Sequence, residues 1–430
     1  MASTLFFAIQ NELPIQMLRP EYKSMIYQLI DYLWQHFRDN FVGLGANFVY
    51  GFLRIVDTET SPTCLMIIFP MFGQIIAISS FGKKNLDSFI VNNNFYPFLF
   101  CVEMFIEDIF DSMACYFPII YNSQKNDKYL ETKIKLSQHL NEAMTANPKC
   151  CQYVMPLALE KLESESIESK LSSYRLLQMA LSTYTNHDVV AKHMAELWIS
   201  IRIDTLKPEI HNDELAENAL ITLSKLADVV SNDSECQTTL MNKIWADLEI
   251  SFKTPELQLA LSSARILIAF SGNRVPVFTD YFERVAPISL QSFIFTTNPD
   301  GQKNSLSSFL LMVEHGHHIG VKIPSNKACD MMQLLIENSS NKSNELLELV
   351  IRIHNEYLSL AQFDIDHLKL TINFAMNCVR QSGYDTQLQN SFLLLIENLA
   401  QNYGELIHEL FVDNIRPEIG KCTVRVFAIG

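Results

Sequence analysis

Apolar residues return every three or four positions along almost the whole chain, the period of helices that bury one face. Ala216, Ala219, Leu220, Leu223 and Ala227 form one stripe, and Met241, Ile244, Trp245 and Leu248 the next; together they predict a helix pair. Leu257, Leu261, Ala264 and Ile268 follow, then Leu306, Leu310 and Val313. Beyond them come Leu346, Leu349, Val350, Ile353 and Tyr357, then Leu368, Ile372, Ala375, Met376 and Val379, then Phe392, Leu395, Ile396 and Leu399. No such helix buries its stripe alone, so each predicts a neighbour.

Start signals precede several stripes. Thr254-Pro255-Glu256 offers a capping hydroxyl, a proline suited to the first turn and an acid favoured by the helix dipole. Asn212-Asp213-Glu214, Ser343-Asn344-Glu345 and Asp364-Ile365-Asp366 read the same way. Only 13 glycines leave few sites for the tight turns of an all-β or Gly-looped α/β domain. The pattern V-x-P-x-x-L-x-x-[L/F] occurs at Val154 to Leu162 and at Val285 to Phe293. A proline near the start of a second helix suits helix pairs repeating every 40 to 47 residues or so. The fold predicted is all-α, a HEAT/armadillo-like α-solenoid of stacked antiparallel helix pairs.

The least charged stretch, Cys64 to Ile78, is read as a buried helix pair broken at Pro70-Gly73 and not as a membrane span, because it falls short of about 18 to 20 apolar residues. With 48% hydrophobic residues the chain can bury a large core. Its 48 acidic against 33 basic residues give a net charge of -15, which argues against direct nucleic-acid binding and for protein partners. Nine cysteines, at positions 64, 101, 115, 150, 151, 236, 329, 378 and 422, lack the pattern of a disulfide framework and fit a reducing compartment. Met1 to Phe7 does not read as a signal peptide.

Catalytic constellations are missing. Phe81-Gly82-Lys83-Lys84-Asn85 lacks the upstream glycine and the hydroxyl of a phosphate loop. His408-Glu409 is followed by Val412 where a zinc-binding helix needs its second histidine. No G-x-S-x-G elbow occurs. Glu314-His315-Gly316-His317-His318 is read as a polar turn after a helix ending near Val313, not as a metal site. Without a C-x-x-C pair, and with Cys150-Cys151 pointing apart, an iron–sulfur cluster has no local ligand set. The expectation is a protein with no catalytic, cofactor-binding or metal-binding residues, whose cysteines are buried and reduced.

Three blocks resemble the Mms-nineteen family. Leu44 to Phe69 carries Gly45, Phe48, Gly51 and Phe52, an acidic turn, and Pro62; Phe105 to Tyr121 carries Tyr116-Phe117-Pro118; Pro156 to Leu177 carries Glu160-Lys161 and Lys170-Leu171, with Leu197-Trp198 beyond. Tyr116-Phe117-Pro118 is expected to end a helix, with its aromatics pinning the loop to the core. These family-motif residues are read as structural. The likeness extends from about Met25 to Ile203. Ser61-Pro62-Thr63 departs from the charged residues usual beside that proline, and the stretch 69–105, with Gly82-Lys83-Lys84 and Asn92-Asn93-Asn94 inside it, reads as an insertion or a gene-model error.

The resemblance implies a family-like N-terminal region over 1–205 and continuing HEAT-like repeats over 206–430, ending as a fragment or short isoform. It implies a non-enzymatic scaffold of cytosolic iron–sulfur protein assembly, in cytoplasm and nucleus. The partners implied are the other subunits of the targeting complex, client apoproteins such as helicases, polymerases and primase, and transcription factor IIH, with effects on nucleotide excision repair. As an early part of the family, the chain is expected to keep client contacts and to dock poorly on the other subunits. Helical periodicity alone equally permits a nuclear-transport or general HEAT adaptor.

Overall fold

The structure is a computed structural model that describes residues 1–78, 105–120, 127–184, 187–207, 213–339, 342–383 and 385–410, the side chains of 127–129, 187 and 405–410 excepted. Among the described residues every regular element is helical: nineteen α-helices and three short 3-10 turns. They form two compact units, Met1–Ile201 with Glu214–Gln237, and Arg202–Asp213 with Thr238–Gly430. Gly82-Lys83-Lys84, Asn92-Asn93-Asn94, Cys101, Cys422 and the chain's last twenty residues lie outside the described residues, as does most of the stretch read as an insertion.

In the first unit α1 (Ala2–Glu12), α2 (Pro20–His36), α3 (Arg38–Val42), α4 (Ala46–Val56) and α5 (Pro62–Ile78) are followed by α6 (Ile106–Ala114), α7 (Asp127–Thr145), α8 (Cys151–Leu162), α9 (Ile167–Thr183), α10 (His187–Thr205), of which Arg202 onward belongs to the second unit, and α11 (Glu214–Val230). One layer runs α2, α5, α7, α9, α11, each packed on the next, while α8 lies against α9 and α6 touches α5 and α8. The second unit holds α12 (Ser234–Lys253), of which Thr238 onward belongs to it, α13 (Ala260–Ser271), α14 (Val275–Phe295), α15 (Pro299–His318), α16 (Ser325–Glu337), α17 (Asn344–Leu360), α18 (Ile365–Gln381) and α19 (Thr386–Leu410). Its matching layer is α13, α15, α17, α19, with α14 on α15 and α18 on α19.

Helix α18 shows how sequence makes each element. The Asp364 side chain accepts hydrogen bonds from the backbone N–H groups of Asp366 and His367, satisfying two donors that have no helical partner. Leu368, Ile372, Ala375, Met376 and Val379 then bury one face, as their spacing predicts. In α17 Leu346, Val350, Ile353 and Tyr357 of the predicted stripe are buried while Leu349 is half-buried, and a second stripe, Leu347, Ile351, His354 and Leu358, is buried as well. A helix packed in the middle of a layer is covered on both sides, whereas a period count shows one face.

Side-chain hydrogen bonds between successive helices of a layer span about one repeat. In the first unit Gln35 reaches Gln74, 39 residues on, and Gln178 reaches Asn218, 40 on. In the second, Asn398 reaches Asn355 across 43 residues, and beside that layer the Ser292 hydroxyl of α14 donates to the Phe252 carbonyl of α12 across 40. These spacings are those of a HEAT-type α-solenoid.

Four local expectations are corrected. Cys64 to Ile78 is not a broken pair but part of one helix, α5, with Pro70 inside it; packing against α2 and α7 holds the helix together across the missing N–H. Pro156 and Pro287 likewise lie inside α8 and α14 and do not start them. Thr254-Pro255-Glu256 opens only a 3-10 turn, Pro255–Leu257, which ends at Gln258 with φ of 58°, so Leu257 is exposed and α13 buries Ala260, Ala264, Leu267 and Phe270 instead. The histidines at 315, 317 and 318 occupy the last turn of α15, where the helix dipole favours them, and not a turn beyond it.

His354 is fully buried in α17, its Nδ1 donating to the Val350 carbonyl at 2.7 Å. Burial pushes its pKa down to about 4, so the ring is neutral in the fold and protonates first in the unfolded chain. Its contribution is therefore intact above about pH 6.5 and is lost as pH falls toward 4, by on the order of 3 kcal/mol. Denaturant unfolding of the second unit, followed by hydrogen exchange in α17, should show this decline between pH 6.5 and 4, and His354→Phe should flatten it.

Candidate protein-interaction surface

The family-motif residues of the first two blocks meet around α4 and α5. Gly45 precedes α4 with φ of 56° and ψ of -129°, a conformation open to glycine and strained for other residues. Phe48 stacks on Trp34, with ring centroids 5.0 Å apart, and lies against Phe6 and Phe41; Phe52 meets Phe72 of α5 edge-on. Gly51 lets α1 approach α4: a Cβ there would stand 2.9 Å from a ring carbon of Phe6 and 2.8 Å from Gln10 Oε1. Pro62 is the first residue of α5. Helix α6 ends at Ala114, just before Tyr116-Phe117-Pro118; Phe117 is buried and Tyr116 sets its edge on Phe69.

At the centre of this region lies a carboxylate that sequence reading passed over as part of an acidic turn. Glu59 is 2% exposed. One oxygen accepts the backbone N–H groups of Thr60 and Ser61, and the other takes the Tyr27 hydroxyl at 3.0 Å and the Lys23 ammonium at 3.2 Å. Burial, then the charge of Glu59, raise the pKa of Tyr27, so it stays a neutral donor. The same two causes push Tyr116 up to about 12. The signal in the sequence is Lys23 and Tyr27 one turn apart on α2, but nothing local links them to position 59.

Lys161 and Lys170 lie elsewhere, at the end of α8 and the start of α9. Lys161 pairs with neighbouring Glu160 at 2.8 Å. Much of the remaining charge is spent between helices of one layer: Arg175 with Glu214 at 2.6 Å, Lys133 with Glu168, Lys303 with Glu345 at 2.9 Å, Arg352 with Glu314 at 2.9 Å and His317 with Glu356 at 2.6 Å. His315 Nε2 lies 3.0 Å from the Gly272 carbonyl oxygen. Among the described residues no three His, Cys, Asp or Glu side chains come together as a metal site, and no helix is long and apolar enough to cross a membrane. Cys64, Cys150, Cys151, Cys329 and Cys378 are buried free thiols, as expected, whereas Cys115 is exposed and Cys236 half-buried; burial pushes Cys150 and Cys151 up to about 12.

One surface is committed to none of this. On α2, Tyr22, Met25, Leu29 and Tyr32 face solvent beside a groove between α2 and α5 of about 440 Å³.

Stacked helices bonded to partners about 40 residues away define a HEAT-type helical repeat protein, a class built to hold other molecules along its surface. Within it, the chain resembles the MMS19 family: the N-terminal family domain described as Dos2-interacting transcription regulator of RNA-Pol-II matches residues 1–207. The chain is 23% identical over 317 residues to the MMS19 nucleotide excision repair protein homolog of Mus musculus, covering 73% of this chain and 28% of that protein. It is 29% identical over 206 residues to the MMS19 nucleotide excision repair protein of Drosophila melanogaster, covering 48% of this chain and 19% of that one. Among solved structures it matches Kap95p bound to RanGDP with a TM-score of 0.47 and 9% identity over 95% of this chain and 48% of that one.

If Glu59 is the post that ties α2 to the α4–α5 turn, Glu59→Ala leaves Lys23 and Tyr27 without their partner and should destabilise the first unit by about 3 kcal/mol. Gly51→Val should act similarly, through overpacking against Phe6, by about 1 to 3 kcal/mol. Lys161→Ala should stay within about 0.5 kcal/mol. Urea unfolding read by hydrogen exchange in α2 and α4 ranks the three; equal effects would remove the distinction drawn between core and surface motif residues.

Proposed function

We propose that this chain is a non-enzymatic scaffold of cytosolic iron–sulfur protein assembly, linking the targeting complex to client apoproteins of DNA repair, replication and transcription. The match to the family model over residues 1–207 carries the reading, together with the repair-protein name borne by the relatives. The repeat architecture supports it, since stacked helix pairs expose a long side-chain surface without needing a catalytic pocket. The net charge of -15 favours protein over nucleic acid as the partner. On this reading the cluster is cargo delivered to the clients.

On this reading the partners are Fe–S helicases, polymerases and primase, the other targeting subunits, and transcription factor IIH, met in cytoplasm and nucleus. The experiment is affinity purification of the tagged chain from cells, with mass spectrometry against an empty-tag control. Enrichment of Fe–S enzymes of DNA metabolism is expected, with the other targeting subunits captured only weakly. A set made of nucleoporins and transport cargo, without Fe–S clients, would replace this function with a transport adaptor.

A further inference from the structure

Helix α2 buries Tyr27, Ile30, Leu33 and Trp34, yet its other face is also apolar. Tyr22, Met25, Leu29 and Tyr32 are 58%, 65%, 39% and 55% exposed. Their spacing of three, four and three residues sets them in one row along the helix, the spacing of a seam that receives a second helix. Gln28 and Gln35 stand beside the row and are exposed, and Glu21 is the one exposed carboxylate next to it. A face rich in Tyr and Met and poor in Lys and Glu has the composition of an interface centre.

The adjoining groove says what kind of helix. Its walls include Asp31, Tyr32, His36, Met66, Pro70 and Gln74, and no Lys or Arg lines it. Pro70 has no N–H to give the Met66 carbonyl one turn earlier, which leaves that oxygen without its helical donor. The Gln74 oxygen is already taken by Trp34 at 2.9 Å and Gln35 at 2.8 Å. Tyr32 stacks on His36 with centroids 4.0 Å apart, adding aromatic faces beside the Asp31 carboxylate. Acceptors and aromatic rings without a cation form a seat for a guanidinium or ammonium group.

We propose that this face and groove dock a cationic amphipathic helix of a partner protein. The partner's apolar stripe lies on Tyr22, Met25, Leu29 and Tyr32, and an Arg or Lys from its flank enters the groove against Asp31 and the Met66 carbonyl. The net charge of -15 steers such a segment inward. This rests on the scaffold reading only in treating the chain as a binder of proteins; it holds or fails separately from the identity of the clients.

The test uses the full chain and two labelled synthetic helices that share a leucine seam, one flanked by Arg and one by Glu, read by fluorescence anisotropy. The Arg-flanked peptide should bind and weaken as salt rises. Leu29→Asp or Met25→Asp should each weaken it by about tenfold or more, as loss of an interface-centre contact does. Both positions are exposed, and circular dichroism checks that the variants keep their helices. Asp31→Lys should invert the preference, favouring the Glu-flanked peptide. Equal binding of the two peptides, or indifference to both Leu29→Asp and Met25→Asp, overturns the proposal. So does a dimer in sedimentation velocity that Leu29→Asp abolishes, since the face would then belong to a second copy. Loss of peptide binding by Leu29→Asp with Fe–S clients still co-purifying separates this face from the function proposed above.

Discussion

A helix in the middle of either unit persists because helices about 40 residues away cover it on two sides. Helix α17 carries two buried stripes, one of them containing His354, and neither could be shielded by α17's own hairpin partner alone. Each buried Leu, Ile or Val contributes roughly 1.5 to 3 kcal/mol, whereas an exposed inter-helix ion pair such as Arg352 with Glu314 contributes about 0 to 1. The apolar contacts therefore hold the stack, and the polar ladder between helices sets its register. Amide pairs suit that task because they tie a side chain of one repeat to a defined atom of the next, as Asn398 does with both the backbone and the side chain of Asn355.

That division of labour explains what the family motifs are made of. Gly45 and Gly51 stand where the backbone is unusual or the helices close, and Phe48 and Phe52 fill the space between α1, α2, α4 and α5. Glu59 is the exception, a charge taken into this apolar region. It is tolerated because two backbone N–H groups, a phenol and an ammonium share it, so no lone pair is left to pay for alone. Breaking such a node is costly even though building it need not stabilise the fold relative to an apolar core.

Most of the architecture was legible from period alone. The stripes at Leu306, Leu346, Leu368 and Phe392 fall in helices at the expected faces, and the repeat spacing matches the lateral hydrogen bonds. What went astray was punctuation. Proline was read as a boundary at Pro70, Pro156 and Pro287, yet tertiary packing carried the helix through each one, because burial of a whole face outweighs one missing hydrogen bond. The Glu59 node was illegible for a different reason: its side-chain partners lie 32 or more residues away in sequence, and neither Lys23 nor Tyr27 breaks the pattern of its own helix.

The same logic separates structural surface from surface left for other molecules. On α9, α15 and α17, exposed charges are answered across the layer, so removing a partner helix would strand them. On the outer face of α2 nothing is stranded: Tyr22, Met25, Leu29 and Tyr32 ask only for apolar cover, and their flanking glutamines fit many partners. Such a face gains from occupancy without depending on it, which suits intermittent docking. The groove beside it adds selection, because a wall that carries the Asp31 carboxylate and neither Lys nor Arg offers an incoming carboxylate no ionic partner and thereby discriminates against an acidic helix of the same shape.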